Sequence, residues 1–357
     1  MRRRCRPVIK YLGSKRLLIP KILEQVRLVQ SARSVIDLFS GTSRVGYALK
    51  AAGYRVLAND HNAYAEMVAR CYVETDVAQV SQDAGRLIRE LNALPGRPGF
   101  FTETYCEKSR FFHPKNGARI DAIRNRINEL GLPRQLEAVV LVALMEAADR
   151  VDSTTGVQMA YLKQWAPRAL ADLELRFPPL LERAPAGPGQ ATGWDALEAA
   201  RRLEADVAYL DPPYNQHSYL ANYHIWETLV LWDSPGVYGS ACKRLDCRTR
   251  KSPLNSKVRF LEYFRSILSA LRVPVVIVSF SDEGFLTEGE MALVLGDLAG
   301  PDGTVERAVM DYRRYVGARI GIYNPKGEKV GRVGRLRNRE ILYCVRRSRP
   351  SEEVRRA

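Results

Sequence analysis

Asp211-Pro212-Pro213-Tyr214 follows directly on the apolar run Val207-Ala208-Tyr209-Leu210. A strand that ends this way presents a carboxylate, two rigid prolines and an aromatic ring. An exocyclic amine on a nucleobase is a poor nucleophile, because its lone pair is delocalised into the ring. Two acceptors on its N–H bonds push the nitrogen toward tetrahedral geometry and localise that pair. The Asp211 side chain and the Pro212 carbonyl are the expected acceptors. Pro213 stiffens the turn, so the acceptors are fixed before binding. Tyr214 offers a ring face to the target base. The chemistry this set suits is methyl transfer to a base amine. The plainer alternative is a proline turn that closes a strand and buries Tyr214.

Two earlier segments have the character of a nucleotide site. Asp37-Leu38-Phe39-Ser40-Gly41-Thr42 places one glycine where a strand enters a helix, which lets backbone approach a ligand closely. It lacks the GxGxxG of dinucleotide binders. Asp60 closes the next strand and is expected to accept hydrogen bonds from both hydroxyls of a ribose. An acid, a lone glycine and a strand-end acid suit S-adenosylmethionine, which has no pyrophosphate to hold. Near the N-terminus, Lys10-Tyr11-Leu12-Gly13-Ser14-Lys15 reads as a tight turn before a helix. Tyr11 can lie against a ring and Lys15 can reach a carboxylate, although a Ser14 cap with a solvated lysine explains the same residues.

The elements that must position these groups follow from periodicity. Helical spacing covers 16–30 and 43–52; 34–39 and 54–58 read as strands, and Gly53 separates the second helix from the second strand. Residues 61–190 are mostly helical in pattern, as at 117–131 and 134–150. They are interrupted by Pro95-Gly96-Arg97-Pro98-Gly99 and by Pro185-Ala186-Gly187-Pro188-Gly189, the latter reading as a linker. Strands at 206–210 and 274–280 flank a helix at 257–271. The tail, 305–347, reads as β-rich, with arginines clustered from Arg332 to Arg339.

The chain has 357 residues, 46% of them hydrophobic, enough for one large domain or a domain with a substantial insertion. Its formal net charge of +15 points to a polyanionic partner, nucleic acid before a membrane surface. Six scattered cysteines form no CxxC pair, so neither a disulfide framework nor a zinc site is expected, and no metal. With no apolar run of about 20 residues and no signal peptide, a cytoplasmic protein without membrane association is expected.

Together these motifs resemble the adenine-specific DNA methyltransferases of the Dam-like class. KYLGSK, DLFSGT, the strand-end Asp60 and DPPY carry the resemblance in the order of that class. So do Tyr219-Leu220-Ala221-Asn222-Tyr223-His224 and the strand ending Ser279-Phe280-Ser281. It implies an α/β fold: a Rossmann-like S-adenosylmethionine-dependent methyltransferase sheet with a mostly helical inserted DNA-recognition domain. The implied organisation is a cofactor-binding half at 1–75, the insertion at 76–190, and a catalytic half with basic loop and tail at 191–357. It implies cofactor contacts from Tyr11, Gly13, Lys15, Asp37, Phe39, Gly41, Asp60 and Asp211. Asp195 is a looser match to the acid that reads the cofactor adenine.

DNA contacts are expected from Arg110, Lys115 and Asn116 in a stretch where cations alternate with Phe111, Phe112 and His113. Lys163 is a second candidate. Cys242–Lys257 is a third, with Lys243, Arg244, Lys251 and Lys257 among six cations facing the single acid Asp246. The phenylalanines can equally form the insertion's own core. Glu227 and Trp226 read as surface and packing residues. The expected activity is site-specific methylation of adenine N6 in double-stranded DNA by base flipping and in-line transfer, in a restriction–modification or phage setting. A monomer is expected, with any endonuclease on a separate chain. The amine chemistry leaves N4-cytosine or RNA adenine methylation open, as well as a catalytically silent DNA-binding regulator.

Overall fold

The computed structural model describes residues 9–12, 15–313 and 337–348. Nine strands are present among them: β1 (Ser34–Asp37), β2 (Arg55–Asn59), β3 (Gln190–Thr192), β4 (Val207–Leu210), β5 (Val237–Tyr238), β6 (Lys243–Arg244), β7 (Val275–Ser281), β8 (Thr304–Arg313) and β9 (Arg337–Arg346). Seven form a sheet in the order β3-β2-β1-β4-β7-β9-β8, and β5 with β6 makes a separate hairpin. β1, β4 and β7 run parallel, as do β2 and β3, while β9 is antiparallel to both β7 and β8. The chain is a mixed α/β protein with a mostly parallel, Rossmann-like sheet.

Burial explains which segments became central strands. All four residues of β4 and all seven of β7 are buried, as apolar runs covered on both faces must be. Residues 314–336, with Arg332 and Arg335 of the arginine cluster, lie outside the described residues.

The chain packs as two compact units. One takes in the described residues up to Leu17, with Ser40–Asp195 and His217–Lys251; the other takes in Leu18–Phe39, Ala196–Gln216 and the described residues from Ser252 onward. In the first, one core gathers Tyr64, Phe101, Tyr105, Phe111, Phe112, Leu141 and Trp226. Packing therefore groups 217–251 with the helical insertion, across the linear division at 190. In the second, Phe260, Phe264 and Phe280 pack edge and face.

Helix limits follow local chemistry. Pro114 opens Pro114–Leu130, His113 caps it by accepting the Lys115 N–H at 3.3 Å, and Gly131 ends it with φ +54°. Arg134–Arg150 is buried along most of its length, as expected of a helix apolar around its circumference. Pro20 starts the helix Ile19–Arg27, later than the spacing from 16 suggested. Two π-helical turns, Arg70–Glu74 and Glu103–Glu107, have no signature in the periodicity.

The proline-glycine cluster at 185–189 is a turn rather than a linker. Ala186 donates to the Gly53 carbonyl at 3.2 Å, and the chain passes straight into β3, which pairs Leu57 with Gln190. Three residues are too few for an alternation to be visible. The five described cysteines are buried and unpaired. No described helix is long and apolar enough to cross a membrane.

Candidate active site and DNA interface

β1 and β4 are the strands at which the sheet order reverses, the position where open α/β sheets place ligands outside the carboxyl ends. Asp37 pairs with Tyr209, and Leu38 donates to the Tyr209 carbonyl at 3.1 Å. Continuing that register by two residues sets Phe39 level with Asp211. The buried Asp37 thus ends β1 beside the strand that carries the DPPY turn.

The turn is held from outside. Pro212 is buried, while Asp211, Pro213 and Tyr214 are half-buried. The Tyr214 carbonyl accepts the Phe285 N–H at 2.9 Å, and the Asn215 carbonyl accepts from Asn255 Nδ2 at 2.9 Å. The Tyr214 ring meets Phe280 edge-on at 5.6 Å. Phe280 and Asn255 come from two separate elements, so the turn's shape does not depend on its own prolines alone.

In the first unit, the loop after β1 is built around Gly41. Its φ is +49°, and a side chain there would start 3.4 Å from the Tyr11 ring. Glycine is favoured there by the left-handed conformation, and a side chain would come into van der Waals contact with Tyr11. Ser43 also takes a left-handed conformation, φ 53°, before the helix Arg44–Ala51. The Gly41 N–H donates to Asp60 Oδ2 at 3.0 Å. Asp60 Oδ1 accepts from the Asn62 N–H at 3.0 Å and from Asn62 Nδ2 at 3.1 Å.

That arrangement corrects one expectation. A carboxylate has about four lone-pair sites. Asp60 spends three on Gly41 and Asn62, so it has one left, on Oδ2. It can accept one ribose hydroxyl as it stands, and a second only if the Asn62 amide swings away.

Tyr11 stacks on Tyr223 at 4.5 Å and on Tyr219 at 5.2 Å, with interplanar angles of 13° and 7°. Its hydroxyl lies 3.3 Å from that of Tyr64. Burial raises both phenols well above their ordinary pKa, so both are neutral. The segment is fastened by Leu12 N–H to the Tyr223 hydroxyl at 2.6 Å, and by Lys10 Nζ to Asp152 at 2.9 Å. The YLANYH stretch therefore supports the Tyr11 motif. Lys15 is buried in a short 3-10 turn, and Gly13 lies outside the described residues. Asp195 is exposed; Asn59 places the residue before it, receiving the Trp194 N–H at 3.0 Å and donating to the Trp194 carbonyl at 3.1 Å.

The proposed DNA residues divide sharply. Asn116 is buried, with its amide donating to the Ala169 and Ala171 carbonyls at 3.0 and 2.9 Å and accepting the Leu173 N–H at 3.1 Å. It fastens the 169–173 segment and has no donor left for a base. Phe111 and Phe112 are core residues. Arg244 is buried, held by Asp233 at 2.7 Å and by Asp246 at 3.1 Å, which raises its pKa. It is a structural arginine rather than a phosphate contact. Asp233, outside the counted segment, is the acid the charge tally missed.

Lys115 is exposed but paired with Asp172 at 2.8 Å. Lys243 is half-buried, and desolvation lowers its pKa. Lys163, Lys251 and Lys257 are exposed. Arg110 packs its guanidinium over Trp165 at 4.6 Å and donates to the Lys163 carbonyl at 2.6 Å.

Glu227 was expected on the surface. It is fully buried, accepting the Tyr64 N–H at 3.2 Å and pairing with Arg250 at 3.0 Å. Helical spacing gave no sign of it, because its partners are 163 and 23 residues away. No cluster of three or more His, Cys, Asp or Glu that could hold a metal occurs among the described residues.

Comparison with known proteins fits this geometry. A family model described as D12 class N6 adenine-specific DNA methyltransferase matches residues 11–277. The Type II methyltransferase M.NlaIII of Neisseria lactamica is 30% identical over 319 residues, covering 86% of this chain and 92% of the relative. The Type II methyltransferase M.CviAII of Paramecium bursaria Chlorella virus 1 is 27% identical over 320 residues, covering 86% of this chain and 92% of the relative. The Type II methyltransferase M.FokI of Planomicrobium okeanokoites is 31% identical over 326 residues; the match covers 86% of this chain but 50% of the relative.

Proposed function

The chain belongs to the family of D12 class N6 adenine-specific DNA methyltransferases, and on that premise we propose that it methylates adenine N6 in double-stranded DNA as the modification enzyme of a restriction–modification system. The observation that carries the mechanism is the DPPY turn at the end of β4, beside β1 at the reversal of the sheet. Modification methylases and Type II methyltransferases among the relatives support the biological setting, with the endonuclease on a separate chain.

The methyl donor in this reading is S-adenosylmethionine, which when bound supplies an electrophilic methyl on a sulfonium leaving group. The chain's own groups fit it. Gly41 offers close backbone approach, Asp60 keeps an unspent lone pair, and no pyrophosphate-binding glycine pattern is present. Tyr11, Lys15, Asp37, Phe39, Asp195 and Asp211 are the further residues assigned to it.

Asp211 and the Pro212 carbonyl take the two N–H bonds of the adenine amine and concentrate its lone pair on nitrogen. The external anchors on Tyr214 and Asn215 hold those acceptors in place before the base arrives. Tyr214 receives the face of the extruded adenine. Removing a base from the stack costs a few kcal/mol, offset by that stacking and by phosphate contacts. Lys163, Lys251 and Lys257 are the cations assigned to phosphates. The enzyme acts as a monomer on one strand at a time.

The test is transfer of labelled methyl from S-adenosylmethionine to duplex DNA, followed by nucleoside analysis. Label in N6-methyladenine is expected. Label confined to N4-methylcytosine or to RNA would overturn the assignment.

A further inference from the structure

We propose that Arg110 reads a guanine in the recognised DNA word, with Trp165 and His113 as its rigid mount; this rests on the function proposed above. The stretch around Arg110 is rich in cations, and three of the cations near it are neutralised locally. Lys108 pairs with Glu103 at 2.6 Å, Lys115 with Asp172 at 2.8 Å and Arg168 with Asp152 at 2.7 Å. Among the described residues, no carboxylate pairs with Arg110.

Its guanidinium is nevertheless fixed. It lies 4.6 Å from the Trp165 ring centre, and Nη1 donates to the Lys163 carbonyl at 2.6 Å. Trp165 is itself braced by His113, with ring centres 5.3 Å apart, and His113 is anchored as the cap of the helix Pro114–Leu130. Arg110 and Trp165 are both half-buried, so the assembly borders solvent.

A phosphate contact needs only a cation that can follow the backbone. A planar fork held by stacking and a carbonyl has given up that freedom. What it gains is a fixed plane with Nε and Nη2 unspent. Those two donors match the O6 and N7 acceptors on the major-groove edge of guanine, the commonest base-specific arginine contact. Fixing the fork beforehand lowers the ordering cost on binding.

The experiment is methyl transfer to a duplex library randomised around the target adenine, with wild type, Arg110→Lys and Arg110→Ala. Wild type defines the word. Arg110→Lys keeps the charge but not the fork; it is expected to lose discrimination at one guanine by roughly 10- to 100-fold, with the loss confined to words that carry that guanine. Replacing that guanine by 7-deazaguanine should penalise wild type and leave Arg110→Ala unaffected. A word without guanine would overturn the inference, as would a loss spread evenly over all words with a shallower salt dependence. Failure of wild type to methylate adenine in any duplex would instead overturn the functional reading itself. Unchanged thermal unfolding of Arg110→Lys separates lost reading from lost folding.

Discussion

Gly41 donates its backbone N–H to the Asp60 carboxylate at 3.0 Å, so the acid that ends β2 also holds the loop that follows β1. The loop is pressed from the other side by Tyr11, whose ring comes within 3.4 Å of the position a Gly41 side chain would take. The geometry of the loop and the cofactor contact proposed for Asp60 are thus tied to one carboxylate.

Asp60→Ala is expected to weaken S-adenosylmethionine binding by roughly 10- to 100-fold, the range for one hydrogen bond to a charged group together with loss of the loop anchor. Asn62→Ala acts in the opposite direction. It removes the Nδ2 donor that occupies Asp60 Oδ1 at 3.1 Å, freeing a second acceptor. Its affinity should equal or exceed that of wild type. Calorimetric titration of both variants decides this, and an unchanged affinity in Asp60→Ala would remove the ribose assignment.

Asp211→Ala should abolish methyl transfer while leaving DNA affinity within a few-fold of wild type. In the proposed mechanism the carboxylate acts on the amine, not on phosphates. The turn keeps its other anchors at Tyr214 and Asn215. Single-turnover rates measured beside a DNA-binding isotherm separate the two effects. Near-normal turnover would sink the mechanism.

Glu227→Ala should destabilise the protein by about 3 kcal/mol, the lower part of the range for breaking a buried charge pair, because Arg250 is 37% exposed. It also strands the Tyr64 N–H in the core. Glu227→Gln keeps an acceptor for that N–H and should lose less. Arg250→Met leaves Glu227 buried without its counter-charge, yet should leave the salt dependence of DNA binding as it was, since Arg250 serves the fold and not phosphate. Denaturant midpoints and a salt titration test the pair of statements; a shallower salt slope in Arg250→Met would return this arginine to the DNA interface.

The parallel strands were legible because each is a short buried apolar run closed by a turn or an acid: Val207–Leu210 and Val275–Ser281 needed only composition and flanks. The places of the DPPY turn and of Asp60, each directly after a strand, were legible for the same reason. The misread polar residues share one cause. Arg244 meets Asp233 eleven residues away, and Asn116 meets a segment more than fifty residues away, so a local tally of charge could not see their partners. Glu227 was hidden likewise, and β3 was too short to show alternation. What sequence supplies is which groups can do chemistry; which are already spent is decided by tertiary contacts.

Stability should fall as pH rises from about 4.5 toward 7 through Glu146. Burial raises its carboxyl from the ordinary 4.5 to about 7, against the opposing influence of the Tyr72 hydroxyl and of Arg150. The folded state therefore holds a proton that the unfolded chain releases at lower pH. The stabilisation is fully present below the ordinary value and is lost as pH passes through about 7. Asp149, raised to about 6, adds to the same trend. His224 works in reverse: burial lowers it to about 3, so its contribution is lost as pH falls below its ordinary 6.5. Because these overlap, the informative quantity is the difference between wild type and Glu146→Gln. The variant should show a flatter profile and gain on wild type from pH 5 to about pH 7, as measured by denaturant midpoints at each pH. A constant difference across that interval would mean that Glu146 is ionised in the folded protein throughout.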